Sequence, residues 1–147
     1  MPVYRRDVII DAPVSTVFAF HERDDALALL SPPVPPVRIV SRTGGIRAGA
    51  RVELRVAWCI RWVAVHTAYE RDRLFVDEQA SGPFRVWRHR HEFESMGART
   101  RLTDIVTFEV PGGRLVNALA GLAAAPGLGM MFRYRHRVTR RLCERAA

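Results

Sequence analysis

Apolar and polar positions change period twice along the chain. Val3 to Asp11 alternate over a short range and are rich in Val, Ile and Tyr, which predicts a strand. Ala12-Pro13 ends it, and proline suits the first position of a helix. Val14, Val17, Phe18 and His21 then recur at helical spacing. A second short helix begins near Asp24, carries Ala26, Leu27, Leu29 and Leu30, and stops at Ser31-Pro32-Pro33. From Val37 onward the period is that of strands. The predicted segments are Val37–Arg42, Arg51–Ile60, Arg61–Arg71, Leu74–Gln79, Phe84–Glu94 and Arg99–Val110, with turn signals between most of them. In Arg51–Ile60, Val52, Leu54, Val56 and Trp58 share one face.

The tail from Arg114 returns to helical composition but is interrupted by Gly121, Pro126, Gly127 and Gly129. A short helix over Leu115–Ala124, a break at Pro126 and a longer helix to Arg145 are expected, with Met131, Tyr134, Val138 and Leu142 as the apolar stripe of the second piece. Strand, two short helices, six strands and a terminal helix give an α+β class: a curved antiparallel sheet of about seven strands around a long C-terminal helix. With 147 residues, no internal repeat and no linker, the chain reads as a single domain spanning residues 1–147.

Composition narrows the function classes. Hydrophobic residues make up 48% and charged residues 26%, which excludes a disordered or collagen-like chain. No uninterrupted apolar run reaches the roughly 18 residues of a membrane span. Arg5, Arg6 and Asp7 stand where a signal peptide needs its apolar stretch. Two cysteines, Cys59 and Cys143, are too few for a disulfide framework, so a cytoplasmic location is expected. All 23 basic residues are arginine, and the net charge is +8. The arginines are dispersed except for Arg133, Arg135, Arg137, Arg140, Arg141 and Arg145 on the last helix, and no nucleic-acid motif accompanies them, so no specific nucleic-acid partner is expected.

Certain stretches resemble a known family. Ala12-Pro13 leading into Val17-Phe18 and Phe20-His21, with the order of elements, resembles the START-like SRPBCC superfamily. Phe75-Val-Asp-Glu-Gln79, Gly82-Pro83-Phe84, Trp87, His89, His91 and Phe93, with Thr103-Asp104 and Tyr134-Arg135-His136, resemble its bacterial ligand-binding branch labelled polyketide cyclase/dehydrase-like, which includes a domain fused to sugar-nucleotide epimerase relatives. The resemblance implies a helix-grip fold with a deep cavity between the sheet and the C-terminal helix. It implies little about chemistry, because the superfamily places carriers, receptors and cyclases on one scaffold.

Strand alternation suggests what faces that cavity. With the last turn centred on Met96-Gly97, Arg85, Trp87, His89, His91 and Phe93 share a face with Leu102, Asp104, Val106 and Phe108, and His89 lies opposite Asp104. A turn at Ala80–Pro83 sets Glu78 opposite Arg85 and Val76 opposite Trp87. His66 is expected opposite Glu53 on the outer face, and His136 as a helix-surface or helix–sheet packing residue. The candidate ligand-binding residues are Trp87, His89, His91, Asp104, Arg85, Glu78, Phe108, Met130, Met131 and Tyr134. His89, His91 and Asp104 are the acid–base candidates. Buried pairing alone would also satisfy His89–Asp104 and Glu78–Arg85, with no ligand required.

Two histidines at i and i+2 beside a carboxylate fit a metal site by residue type, but no cysteine or third histidine completes the pattern, so neither metal nor cofactor is expected. The favoured expectation is binding of a small hydrophobic or lipid-like molecule bearing a polar group. Two alternatives stand beside it: a polyketide cyclase/dehydratase-like enzyme using the His/Asp pair, and an interaction module contacting an acidic partner through the basic terminal helix. Monomer and homodimer are both compatible with the sequence.

Overall fold

A computed structural model describes residues 1–146. The elements are β1 (Val3–Ile10), α1 (Val14–Glu22), α2 (Ala26–Leu30), β2 (Val37–Thr43), β3 (Arg51–Val56), β4 (Ile60–Glu70), β5 (Leu74–Ser81), β6 (Val86–Met96), β7 (Arg99–Glu109) and α3 (Gly113–Ala146). The seven strands form one antiparallel sheet in the order β1-β7-β6-β5-β4-β3-β2. α1 and α2 carry the chain from one edge strand to the other, so the six later strands can follow one another as a meander. This is the expected α+β helix-grip architecture.

α3 is one continuous helix, not two pieces broken at Pro126. Pro126 cannot donate to the carbonyl of Leu122, but both residues are exposed on the solvent side of the helix, where the loss of one hydrogen bond is tolerated and the helix continues. Its start is anchored by Asn117: Oδ1 accepts from Val110 N at 2.8 Å, while Nδ2 donates to Val110 O at 2.9 Å and Gly113 O at 2.8 Å. The buried stripe of the C-terminal half is Leu128, Phe132, His136, Val138, Thr139 and Cys143, displaced from the predicted one. Met131, Tyr134 and Leu142 are only partly buried at its margin. The N-terminal half is apolar and exposed, and the most apolar 18 residues of α3 reach a mean hydropathy of 1.6. By length and composition, therefore, α3 meets the requirement for a membrane span, contrary to expectation, although its C-terminal half packs on the sheet.

Two apolar clusters flank a polar layer. Ile10, Phe18, Phe93, Leu102 and Val138 belong to the first, and Val106, Phe108, Leu128 and Phe132 form the second. Asp104 lies between Leu102 and Val106 on β7, and His136 follows Phe132 by one helical turn. The polar layer is thus held between two packed faces.

Strand registers depart from expectation at three turns. β6 and β7 pair as Met96↔Arg99, enclosing a two-residue turn in which Gly97 has φ +72°. This shifts the ladder by two residues, so His91, not His89, lies opposite Asp104, and no side chain changes face. Between β5 and β6 the shift is odd. Gln79 uses its amide to bond Phe84 at both backbone groups, donating to O at 2.7 Å and accepting from N at 3.2 Å. The ladder therefore ends at Glu78↔Arg88, and Asp77, not Glu78, shares the inner face with His89. At the other end of the sheet β3 stops at Val56. Ala57 and Trp58 take positive φ in the following turn, leaving Trp58 exposed instead of on the inner face.

Candidate functional site

The sheet, α2 and α3 enclose a cavity of about 290 Å³. Val52, Leu54 and Val56 of β3, Ala64 of β4, and Leu27 and Leu30 of α2 give it apolar walls. Trp62 meets Trp87 edge-on at 5.2 Å between ring centres, forming an aromatic side. The opposite wall is polar: His66, Asp77, His89, His91 and Arg135 line it, with His21 at its α1 side.

Asp104 organises that wall from behind. Its Oδ1 accepts from His89 Nε2 at 2.8 Å and lies 3.0 Å from His91 Nδ1, and its Oδ2 accepts from His136 Nε2 at 2.6 Å. On the cavity side, Asp77 Oδ2 lies 3.2 Å from His91 Nε2 and 3.8 Å from His89 Nδ1. His91 also stacks on Phe75 at 3.9 Å, which fixes its ring plane.

Charge states follow from these contacts. Burial would raise the Asp104 pKa, but His136, His89 and His91 hold it well below the ordinary carboxylate range. Asp77 is likewise held down to about 2: burial opposes ionisation, and His91 and His89 outweigh it. Burial works against protonation of His91 as well, yet the Asp104 and Asp77 carboxylates on either side outweigh it and raise its pKa. His89 is held neutral by burial and by the neighbouring His91 charge. Burial lowers the His66 pKa and also weakens the proton affinity of Arg135. His66 Nδ1 and Arg135 Nε are buried without a protein partner, as is His136 Nδ1.

The structure brings together part of the predicted set. Trp87, His89, His91 and Met131 line the cavity, and Asp104 sits directly behind the two histidines. Phe108 and Tyr134 pack in the neighbouring apolar clusters instead. Met130 is 71% exposed, on the far side of α3. Arg85 is exposed and lies 3.4 Å from Glu109, while Glu78 pairs in the ladder with Arg88 on the other face; neither reaches the cavity. His66 is not an outer-face partner of Glu53. Glu53 binds Arg61 at 2.7 Å, and His66 is buried in the cavity wall opposite Asp77.

Four residues escaped the sequence reading: Asp77, His66, Arg135 and the role of His136. Phe75 and Asp77 share a strand face, so alternation from the apolar Phe75 was the signal for Asp77. His136 stands one turn from Phe132 on α3, and that spacing was the signal for its inward face.

The profile of the family described as polyketide cyclase / dehydrase and lipid transport matches residues 10–133. The chain belongs to this family. No curated protein matches it. Among solved structures, this polyketide cyclase/dehydrase family chain is similar to the nucleoside-diphosphate sugar epimerase from Corynebacterium glutamicum, at 25% identity and a TM-score of 0.75, over 92% of this chain and 28% of that one. It is also similar to the Zhui aromatase/cyclase from Streptomyces sp. R1128, at 16% identity and TM-score 0.72, over 97% and 93% of the two chains. A START superfamily protein from Mycobacterium smegmatis matches at 15% identity and TM-score 0.68, over the full length of both. The last two establish the shared fold.

Proposed function

We propose that the cavity binds a small, compact hydrophobic molecule carrying an oxygen-bearing polar group. The observation that carries this reading is the contrast within the lining: mostly apolar and aromatic side chains, beside His66 and Arg135, whose Nδ1 and Nε are buried without a protein partner. Unmet buried donors and acceptors cost about 1–3 kcal/mol each, and a ligand group that meets them recovers that energy. At about 290 Å³ the space is at the small end of the usual ~300–1,000 Å³ range, which favours a ring-containing molecule over a two-chain lipid. Binding is proposed to occur in a reducing cytoplasm, consistent with Cys59 and Cys143 both being free thiols.

Native mass spectrometry of the protein purified from cell extract, followed by extraction of bound material, tests the reading. A stoichiometric hydrophobic adduct is expected. No adduct, together with no saturable binding across a panel of aromatic, polyketide and fatty-acid compounds, would sink it.

One observation favours a second, enzymatic reading. His91, its pKa raised by the carboxylates on either side, stands at the cavity wall, where Nε2 could donate a proton to a bound oxygen. That suits a cyclisation or dehydration of a polyketide-like ligand. With a candidate substrate, His91→Gln or His89→Ala should then lower turnover far more than binding. Equal loss of both returns the site to binding alone.

A further inference from the structure

Three atoms on two neighbouring strands converge at the polar wall. His89 Nδ1, His91 Nε2 and Asp77 Oδ2 all lie within 4.8 Å of one another. Asp77 Oδ2 stands 3.2 Å from His91 Nε2 and 3.8 Å from His89 Nδ1. Ligand atoms held about 2.1 Å from one tetrahedral ion stand roughly 3.4 Å apart; the two separations from Asp77 lie within a few tenths of an ångström of that value, and side-chain rotation would bring the two ring nitrogens to it.

The far nitrogen of each ring is already committed. His89 Nε2 donates to Asp104 Oδ1, and His91 Nδ1 lies 3.0 Å from the same oxygen. A carboxylate behind a metal-ligating histidine fixes its tautomer and increases the basicity of the ligating nitrogen. Here one carboxylate serves two rings, and His136 anchors its other oxygen at 2.6 Å. A hydrogen-bonded core pair needs no such arrangement, since one carboxylate would suffice for both histidines.

We propose that Asp77, His89 and His91 form a binding site for one divalent transition-metal ion of the nitrogen- and oxygen-preferring kind, such as Zn²⁺ or Co²⁺, with Asp104 orienting both histidines. Two nitrogens and one carboxylate oxygen leave further coordination positions on the cavity side. His91 gives up any proton on Nε2 when the ion binds, and the Asp77 and Asp104 carboxylates then stand as two negative charges against the single Arg135 guanidinium in the same cavity. The site deepens the binding reading above, since a cavity-facing ion would hold an enolate, phenolate or carboxylate oxygen of the bound molecule.

The test uses the full chain and no organic ligand. All five histidines are buried, so the exposed Cys59 is the side chain most apt to compete, and Cys59→Ser removes it. Chelator-stripped protein is titrated with Co²⁺ and Zn²⁺ by calorimetry and visible absorption. One ion per chain, a Co²⁺ d–d band and a raised Tm are expected. Asp77→Ala and His91→Gln should each abolish the band, with circular dichroism confirming that the variants are folded. Asp104→Asn should weaken binding by about 10- to 100-fold. Asp77→Asn, which keeps the side-chain shape, provides the same test if Asp77→Ala fails to fold. Absence of stoichiometric binding, or binding undiminished in the Asp77 variants, overturns the metal site. Protein that takes its organic ligand normally but no metal leaves the binding proposal intact. Protein that takes metal but no hydrophobic molecule does the reverse.

Discussion

Replacing Asp104 by asparagine should destabilise the protein by about 3–5 kcal/mol, the cost of removing one member of a buried charged network. The side chain is 5% exposed and meets imidazole nitrogens at 2.6, 2.8 and 3.0 Å. Asparagine keeps its shape but presents one carbonyl oxygen and one amide. The carbonyl can accept from either His136 or the His89/His91 side, and the amide then faces N–H donors that nothing accepts. Hydrogen bonds to a charged group contribute about 1.5–3 kcal/mol each, so losing one and weakening another gives the same range. Urea unfolding followed by far-ultraviolet circular dichroism measures the change. Because the folded Asp104 pKa lies below that of the unfolded chain, its contribution is full at neutral pH and is lost as pH falls below about 4 through the folded value. The gap between wild type and variant should therefore narrow in acid below about pH 4, while above that it also carries the His91 proton that Asp104 favours. A loss under about 1 kcal/mol at pH 7 would show that Asp104 does not hold the network.

Other perturbations separate core from site. Phe18, fully buried among Phe93, Tyr69 and Phe75, should cost about 3–5 kcal/mol as Phe18→Ala; a loss below about 1 kcal/mol would mean that this cluster is not packed as described. Trp87→Ala should instead cost less stability than Phe18→Ala and change ligand affinity more, because Trp87 borders existing space; calorimetry with an identified ligand, alongside thermal melts, decides between wall and core. Burial lowers the His21 pKa from 6.5 to about 4, so above pH ~6.5 it is neutral in both states, and between ~6.5 and ~4 only the unfolded chain takes up its proton. Stability should fall by about 3 kcal/mol across that window and by correspondingly less in His21→Phe, and parallel urea midpoints for the two proteins would refute the assignment. Charge reversal at the exposed Arg137 and Arg141 should leave small-molecule affinity unchanged, whereas a large loss would move the binding site onto α3's outer face.

How far the sequence revealed the site depended on parity. On β6 and β7, alternation placed Trp87, His89 and His91 with Leu102, Asp104 and Val106, and the two-residue register shift at Gly97 could not alter those faces. On β5 the outcome was opposite. Gln79 satisfies the Phe84 backbone with its side chain, a tertiary bond that no turn rule anticipates, and the odd shift exchanged Glu78 for Asp77. The tight turn after Val56 likewise hid the inward face of His66: with Val56 opposite Ile60, Glu53 meets Val63, and the three-residue shift puts His66 on the other face. Local rules predict a helix break at Pro126 because proline removes one hydrogen bond, whereas the helix runs on there with both Leu122 and Pro126 exposed. His136 and Arg135 were illegible for another reason. Their meaning comes from Asp104 and Asp77, which lie about thirty and sixty residues earlier in the chain, and no local pattern links them.

The central claim is that a small molecule occupies the space between β3, β4 and the polar wall. Leu54 is partly buried and lines that space from β3, away from the histidines and carboxylates. Leu54→Trp should fill the cavity while leaving Asp77, His89, His91 and Asp104 untouched. Isothermal titration of the copurified or best panel ligand into wild type and this variant measures the claim directly. The account predicts saturable one-to-one binding in wild type and loss of at least ten-fold in affinity in a variant with an unchanged circular dichroism spectrum. Equal affinity in the two proteins would contradict it.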